Sequence, residues 1–146
     1  MTRLYTVCDY LPPLAQGDRL ELLFYCISWA MFAGRSPLDG YLRGILYNPK
    51  NHPELKTLEA TGWCGGDPGW EIDGNNDETG GGYYNEAGQS VFRCWALADI
   101  SGIELDTAYY TVEEVRHYIR LALDNIAQQH PERTKEVQEV IARYWL

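Results

Sequence analysis

Cys94, preceded by Gln89 and followed by Trp95 and Ala96, is the side chain in this sequence best suited to nucleophilic chemistry. A thiol is reactive as thiolate, which a helix N-terminus or a neighbouring cation favours. It also needs a base, and His117 and His130 are the histidines that follow it. The surroundings argue against that pairing. His117 stands beside Arg116 and near Arg120, on the polar side of the helix those residues predict. Val91 to Leu97 reads as strand as readily as helix start, and no glycine-rich oxyanion segment accompanies it. A buried structural Cys94 is the expectation. A small cysteine-dependent hydrolase or transferase using Cys94 and His117 is the alternative.

A second pattern is Asp73-x-Asn75-x-Asp77, the first three ligand positions of an EF-hand calcium loop. The sixth position is Glu78 where glycine is needed, and the twelfth is Tyr84 where a bidentate glutamate is needed. A polar turn is expected there, with no metal and no cofactor.

The third pattern is charge. Between Thr57 and Phe92 stand seven carboxylates and no Lys, Arg or His. The whole chain has a net charge of −9. Such a surface repels phosphate backbones and attracts a basic protein, because complementary potentials speed encounter. Trp63, Trp70, Tyr83 and Tyr84 interleave with the acids, and aromatics with a few charges are the material of interface hot spots. Asp67, Trp70, Glu71, Asp73, Asp77, Glu78, Tyr83 and Tyr84 are therefore the expected protein-binding residues. Glycine, Asn, Asp and Pro crowd Gly62 to Gly82, which predicts one long loop with a hairpin turn at Asp73-Gly74 or Gly74-Asn75. The competing reading is a solvated loop with one or two of its Trp rings in the core.

These residues must be positioned by a core, and its centre is Leu20 to Ala33. Only Glu21 and Ser28 interrupt its apolar character. A helix apolar on every side must be covered on every side. Its 14 residues fall short of the roughly 20 that cross a bilayer, so the cover is protein and no membrane partner is expected. Asp18 and Glu21 form an approximate capping box, and Gly34 is the expected stop. A second helix is predicted from Ser36 to Leu46, with Pro37 in its first turn. Its inner face is Leu38, Leu42, Ile45 and Leu46, and Gly40 and Gly44 allow a close approach to the central helix. The stretch 52–59 fits a short turn or a strand. Ser90 to Ala98 and Gly102 to Tyr110 read as strands, the latter with Ile103, Leu105 and Thr107 on one side. Thr111 and Glu114 make a capping box for a helix whose inner face is Val112, Val115, Ile119, Ala122 and Ile126. His130-Pro131 ends it. A last helix spans Glu132 to Tyr144, with Val137, Val140, Ile141 and Tyr144 inward. The predicted class is α+β: a central apolar helix with further helices packed on a small antiparallel sheet. At 146 residues the chain is expected to be one domain. Four cysteines without a C-x-x-C pair, and an N-terminus with no apolar signal core, predict a cytoplasmic protein with free thiols.

The C-terminal third resembles a known family. Tyr110-Thr111-Val112-Glu113-Glu114-Val115 opens an amphipathic helix containing Tyr118, and His130-Pro131-Glu132-Arg133 precedes a final charged helix. This is similar to the tail of small bacterial immunity proteins that neutralise ribonuclease toxins of contact-dependent growth inhibition systems. The resemblance covers about a third of the chain and leaves out the acidic glycine-rich stretch. It implies a cytosolic, non-catalytic inhibitor of one cognate toxin. The Cys94-Trp95 pair resembles, more weakly, the nucleophile region of papain-like and transglutaminase-like enzymes.

Overall fold

The computed structural model describes residues 3–32, 35–47, 59–76 and 78–146. A short hairpin of β1 (Leu4–Tyr5) and β2 (Leu14–Ala15) leads into the central helix α1 (Glu21–Ala30). A 3-10 turn (Leu42–Gly44) follows. Then come β3 (Trp63–Gly66), β4 (Trp70–Asp73), β5 (Tyr83–Tyr84), β6 (Ser90–Ala96), the short α2 (Ala98–Ser101), β7 (Thr107–Thr111) and α3 (Val112–Gln129). A second 3-10 turn (Pro131–Arg133) runs straight into α4 (Thr134–Tyr144). The fold is α+β, with an antiparallel five-stranded sheet in which β6 is central. β7 lies along one edge of β6, while β4 and β5 share the other.

Three expected elements come out differently. The long loop over 62–82 is a hairpin, β3 and β4, with its turn at Asp67–Gly69 rather than at Asp73–Asn75. The expected helix over 36–46 is reduced to turns and the single 3-10 turn, although Leu38, Leu42, Ile45 and Leu46 are all buried as predicted. Gly44 does permit a close approach, but to β3: a Cβ on Gly44 would lie 2.0 Å from the Trp63 carbonyl oxygen. A Cβ on Gly62 would lie 1.8 Å from the Gly44 carbonyl oxygen. The last predicted strand begins later, at Thr107, and Ala108 and Tyr110 face inward while Leu105 is exposed. The expectations over 52–58, at Gly34 and at Asp77 lie outside the described residues.

The sheet buries one face. Cys64, Ile72, Cys94 and Ala108 form one cross-strand row of it, and Phe92 and Tyr110 the next. These side chains join those of α1, α3 and α4 in one core. Cys26 of α1 sits on the sheet, its sulfur 3.7 Å from the carbonyl oxygens of Glu71 and Trp95. Leu22, Leu23, Phe24, Cys26, Ile27 and Ala30 are buried; only the Tyr25, Ser28 and Trp29 side of α1 reaches solvent.

A helix apolar all round cannot cap itself, and α1 begins at Leu20 with no side-chain cap. Its first turn is completed from outside. Asp18 Oδ1 accepts from the Leu20 N–H at 2.8 Å. The Tyr110 hydroxyl accepts from the Leu23 N–H at 3.3 Å and donates to the Arg19 carbonyl at 2.6 Å. Glu21 turns back to the hairpin, accepting from Tyr5 Oη and from the Gly17 N–H. By contrast α3 carries the full Thr111–Glu114 capping box that its sequence predicts. Arg116 and Arg120, expected on its polar side, reach across to cap the end of α4 by donating to the carbonyls of Tyr144, Trp145 and Leu146.

Asp39 ties the segment after α1 to α4. It is 1% exposed and accepts from Arg143 and the Tyr144 hydroxyl on one oxygen and from Arg43 on the other. Burial alone would raise its carboxyl. The Arg43 and Tyr144 hydrogen bonds and the charges of Arg43 and Arg143 outweigh that and hold it below the ordinary carboxylate range.

Two predictions follow from these locks. Tyr110→Phe leaves the Leu23 N–H without its partner inside the core and should cost about 1–3 kcal/mol; an unchanged urea midpoint would remove the hydroxyl from the account. Asp39→Asn should cost about 2 kcal/mol near pH 7. Because the folded pKa lies below the unfolded value of about 4, this stabilisation is present above that value and is lost as pH falls through the folded pKa. Urea midpoints of wild type and variant should therefore converge as the pH is taken below the ordinary carboxylate range and through the lowered folded pKa, and a gap that persists at the acid limit would show that Asp39 contributes by shape alone.

Candidate functional site

Period-two alternation divides β6 cleanly. Phe92, Cys94 and Ala96 point into the core, and Val91, Arg93 and Trp95 point away from the helices. Cross-strand register adds the neighbours of this outer face. Trp63, Asp73, Arg93 and Tyr109 form one row, and Gly65, Glu71, Trp95 and Thr107 the next. Tyr83 sits opposite Val91 and completes it.

Arg93 is the centre of this face. Its guanidinium lies 2.9 Å from Glu71 Oε1 and 3.7 Å from Asp73 Oδ2, and 5.9 Å from the centroid of the Tyr83 ring. The Trp63 Nε1–H donates to the other Glu71 oxygen at 2.6 Å. The rings of Tyr83 and Tyr109 approach to 5.8 Å. Trp63 lies over Gly65, where a Cβ would meet its Cζ2 at 2.9 Å; the glycine is what lets the ring lie down on the strand. Burial raises the Tyr83 hydroxyl, with the Arg93 charge opposing and Asp73 assisting, so it is a neutral donor at ordinary pH. Trp63 and Tyr109 are each 51% exposed.

The expected site residues divide accordingly. Glu71, Asp73 and Tyr83 meet on this face. Asp67 is exposed in the β3–β4 turn and Glu78 in the turn after β4. Tyr84 is exposed at the sheet's end but pairs with Ser90, in phase with the opposite face. Trp70 is not a surface residue: it is 2% exposed, in phase with Ile72 and edge-on to Tyr41 with ring centroids 5.3 Å apart. Asp77 lies outside the described residues. Arg93, Trp95 and Tyr109 belong to the site without being expected there, and Trp63 joins them. Strict alternation from Val91 to Ala96 is the signal that carries Arg93 and Trp95; Tyr109 requires the register of β7.

The two chemical candidates fare differently from this face. Asp73 accepts the Asn75 N–H at 2.8 Å on one oxygen and faces Arg93 with the other, so both of its oxygens are engaged within the protein. Among the described residues no group of three or more His, Cys, Asp or Glu side chains could hold a metal. Cys94 lies fully buried on the inner face of a strand, not at a helix start, and burial holds its thiol well above the ordinary value. Burial likewise pushes Cys64 up to about 12 and Cys8 up to about 11. His117 is exposed on α3, its ring edge-on to Tyr118. Neither the thiolate nor the access that a nucleophile needs is present at Cys94. A cleft of about 570 Å3 between 16–22 and 102–105 carries Arg19 and Glu21, both paired within the protein.

What the outer face can do is bind. It offers flat aromatic area and an arginine already held between two carboxylates, so few side chains have to be ordered on binding. No family model matches the chain, and no curated protein and no solved structure matches it.

All four cysteines are free and buried. A disulfide thiol reagent should therefore titrate no fast thiol in the native protein and all four in denaturant. Alkylation of Cys94 should run at the rate of unfolding, and rapid labelling of the native protein at mildly acidic pH would restore a catalytic role for it.

Proposed function

We propose that this chain is a non-catalytic inhibitor of the immunity-protein type, which binds a basic bacterial toxin of the nuclease class and occludes its active site. The observation that carries the reading is the open sheet face, where Trp63, Trp95 and Tyr109 surround the Arg93–Glu71–Asp73 cluster. Aromatic anchors set around an arginine already held between two carboxylates can be buried without stranding that cation, and the cluster's residual negative charge suits a basic partner. Exposed acids at Asp67 and Glu78 lie in the turns at either end of β4 and supply the steering charge for a basic partner. The burial of Cys94 weighs against the hydrolase or transferase alternative. The resemblance of the last third to contact-dependent immunity proteins supplies the class of partner, and a cytoplasmic setting keeps the four thiols reduced.

The toxin to test is the product of the reading frame beside this one. Co-expression should restore growth to cells making that toxin, and the purified proteins should bind with an on-rate that falls as salt rises. Trp63→Ala and Tyr109→Ala together should weaken binding by about 4 kcal/mol, mostly through dissociation, if both rings are hot spots of ~2 kcal/mol. Glu78→Gln should lower the on-rate and its salt dependence while leaving dissociation unchanged. Full affinity in the double aromatic variant would move the interface off this face. No protection and no binding by wild type would overturn the immunity reading itself.

A further inference from the structure

Among the described residues three strands of the sheet pair on one side only, the two-residue β5 and the longer β3 and β7, and the two longer edges are treated differently. β3 is covered by the backbone of the 3-10 turn, as the contacts of Gly44 and Gly62 with it and with each other require. β7 pairs with β6 on one side only. It reads Thr107-Ala108-Tyr109-Tyr110-Thr111. It carries none of the usual protections of an edge, neither Lys, nor Pro, nor an inward charge.

Its hydrogen-bonding phase can be read from the ladder. The Ala96 N–H donates to the Asp106 carbonyl at 3.1 Å, so residues 106, 108 and 110 are the ones bonded to β6. Thr107, Tyr109 and Thr111 point their N–H and C=O groups away from it. Thr111 is not free, because its N–H donates to Glu114 in the capping box and its carbonyl opens α3. Arg19 lies over the Tyr110 ring and pairs with Glu114, at the Thr111 end of the strand. That leaves Thr107 and Tyr109, two residues apart, with all four backbone groups unpaired among the described residues.

We infer that this edge binds a second copy of the chain, β7 against β7 in antiparallel two-fold pairing centred on Ala108. This register alone satisfies all four groups with their own symmetry mates: Thr107 bonds Tyr109 of the other copy, and Tyr109 bonds Thr107. Any centre shifted to Tyr109 would set Thr107 against the occupied Thr111. The side chains agree with it. The small Ala108 meets its mate at the close, non-hydrogen-bonded position, and Tyr109 lies beside Thr107, an aromatic beside a β-branched residue. Asp106 faces Tyr110, so no like charges meet directly across the junction. That matters in a chain of net charge −9, whose surface elsewhere repels its own kind. The result is a continuous sheet in which two copies of the outer face, each with its Tyr109, stand side by side.

The test needs no partner protein. Sedimentation equilibrium over a concentration series should show wild type moving from the 16.7 kDa monomer to twice that mass. Tyr109→Pro removes an outward N–H, which an edge strand tolerates, together with the half-exposed ring beside Tyr83, and should stay monomeric with an unchanged far-ultraviolet circular dichroism spectrum. Should that variant not fold, the double substitutions Thr107→Lys/Tyr109→Lys and Thr107→Glu/Tyr109→Glu supply the same answer. Each puts like charges opposite each other, so each should be monomeric alone, and the two mixed should form a heterodimer. Wild type that remains monomeric throughout would overturn the proposal, as would a Tyr109→Pro variant that folds and still dimerises. Mixed charge variants that fail to pair would refute this register.

Discussion

Everything in the fold depends on burying α1, a helix with too much apolar surface to leave any long side in water. Burial on that scale brings a backbone problem with it. The first-turn N–H groups of a helix have no partner within it, and leaving one unpaired in a core costs more than a hydrogen bond normally contributes. The chain meets this with a side chain from the sheet. Tyr110, at the end of β7, carries its hydroxyl across to Leu23 and Arg19. One tyrosine thereby fixes the distance between α1 and the sheet, and with it the depth of Phe92, Cys94 and Ile72. Burial raises that hydroxyl above its ordinary range, with the Leu23 N–H opposing, so it is a neutral donor at ordinary pH.

The helix α3 was legible because its signals are local. The Thr111–Glu114 box and the Val112–Ile126 stripe need no knowledge of the rest of the chain, and both stand as read. The hairpin of β3 and β4 was not legible, for a physical reason. Glycine, Asp and Pro favour turns in isolation, and Gly65 and Gly66 within a strand weaken its propensity. In the folded protein the crowding at Gly65 comes from the paired strand and the ring above it, since a Cβ there would lie 2.5 Å from the Trp70 carbonyl oxygen and 2.9 Å from the Trp63 ring, and a Cβ on Gly66 would lie 3.3 Å from the Tyr41 hydroxyl. The same cause removed the helix expected over 36–46. Gly44 is where the backbone crosses β3, and a regular helix cannot be built around that crossing. Tertiary contact overrode propensity in both places.

The candidate site shows what a charge count conceals. Seven acids with no base between Thr57 and Phe92 suggest a strongly negative loop. Folding brings in Arg93, the residue just beyond that run, and places it against Glu71 and Asp73. The charge of one of these two is thereby matched, and most of the negative field of this region comes from acids outside the cluster. The face between those turns is aromatic. A linear reading assigns recognition to the carboxylates, whereas the register assigns it to Trp63, Trp95 and Tyr109, because pairing across four strands brings together residues that the sequence keeps apart.

The two faces of β7 and its edge are linked by the same alternation. Tyr110 points in and caps α1; Tyr109 points out and joins the aromatic face; and the phase that orients both also leaves the backbone of Tyr109 turned from β6. A one-residue slip of β7 would exchange all three at once. It would put the hydroxyl that α1 needs into solvent, bury a ring where no cavity awaits it, and present to the open edge the groups now paired with β6. The capping box holds the strand against that slip, since Thr111 is both its last residue and the first cap of α3. The strongest local signal in the sequence therefore fixes the register of the sheet, and through it the composition of the surface available for binding.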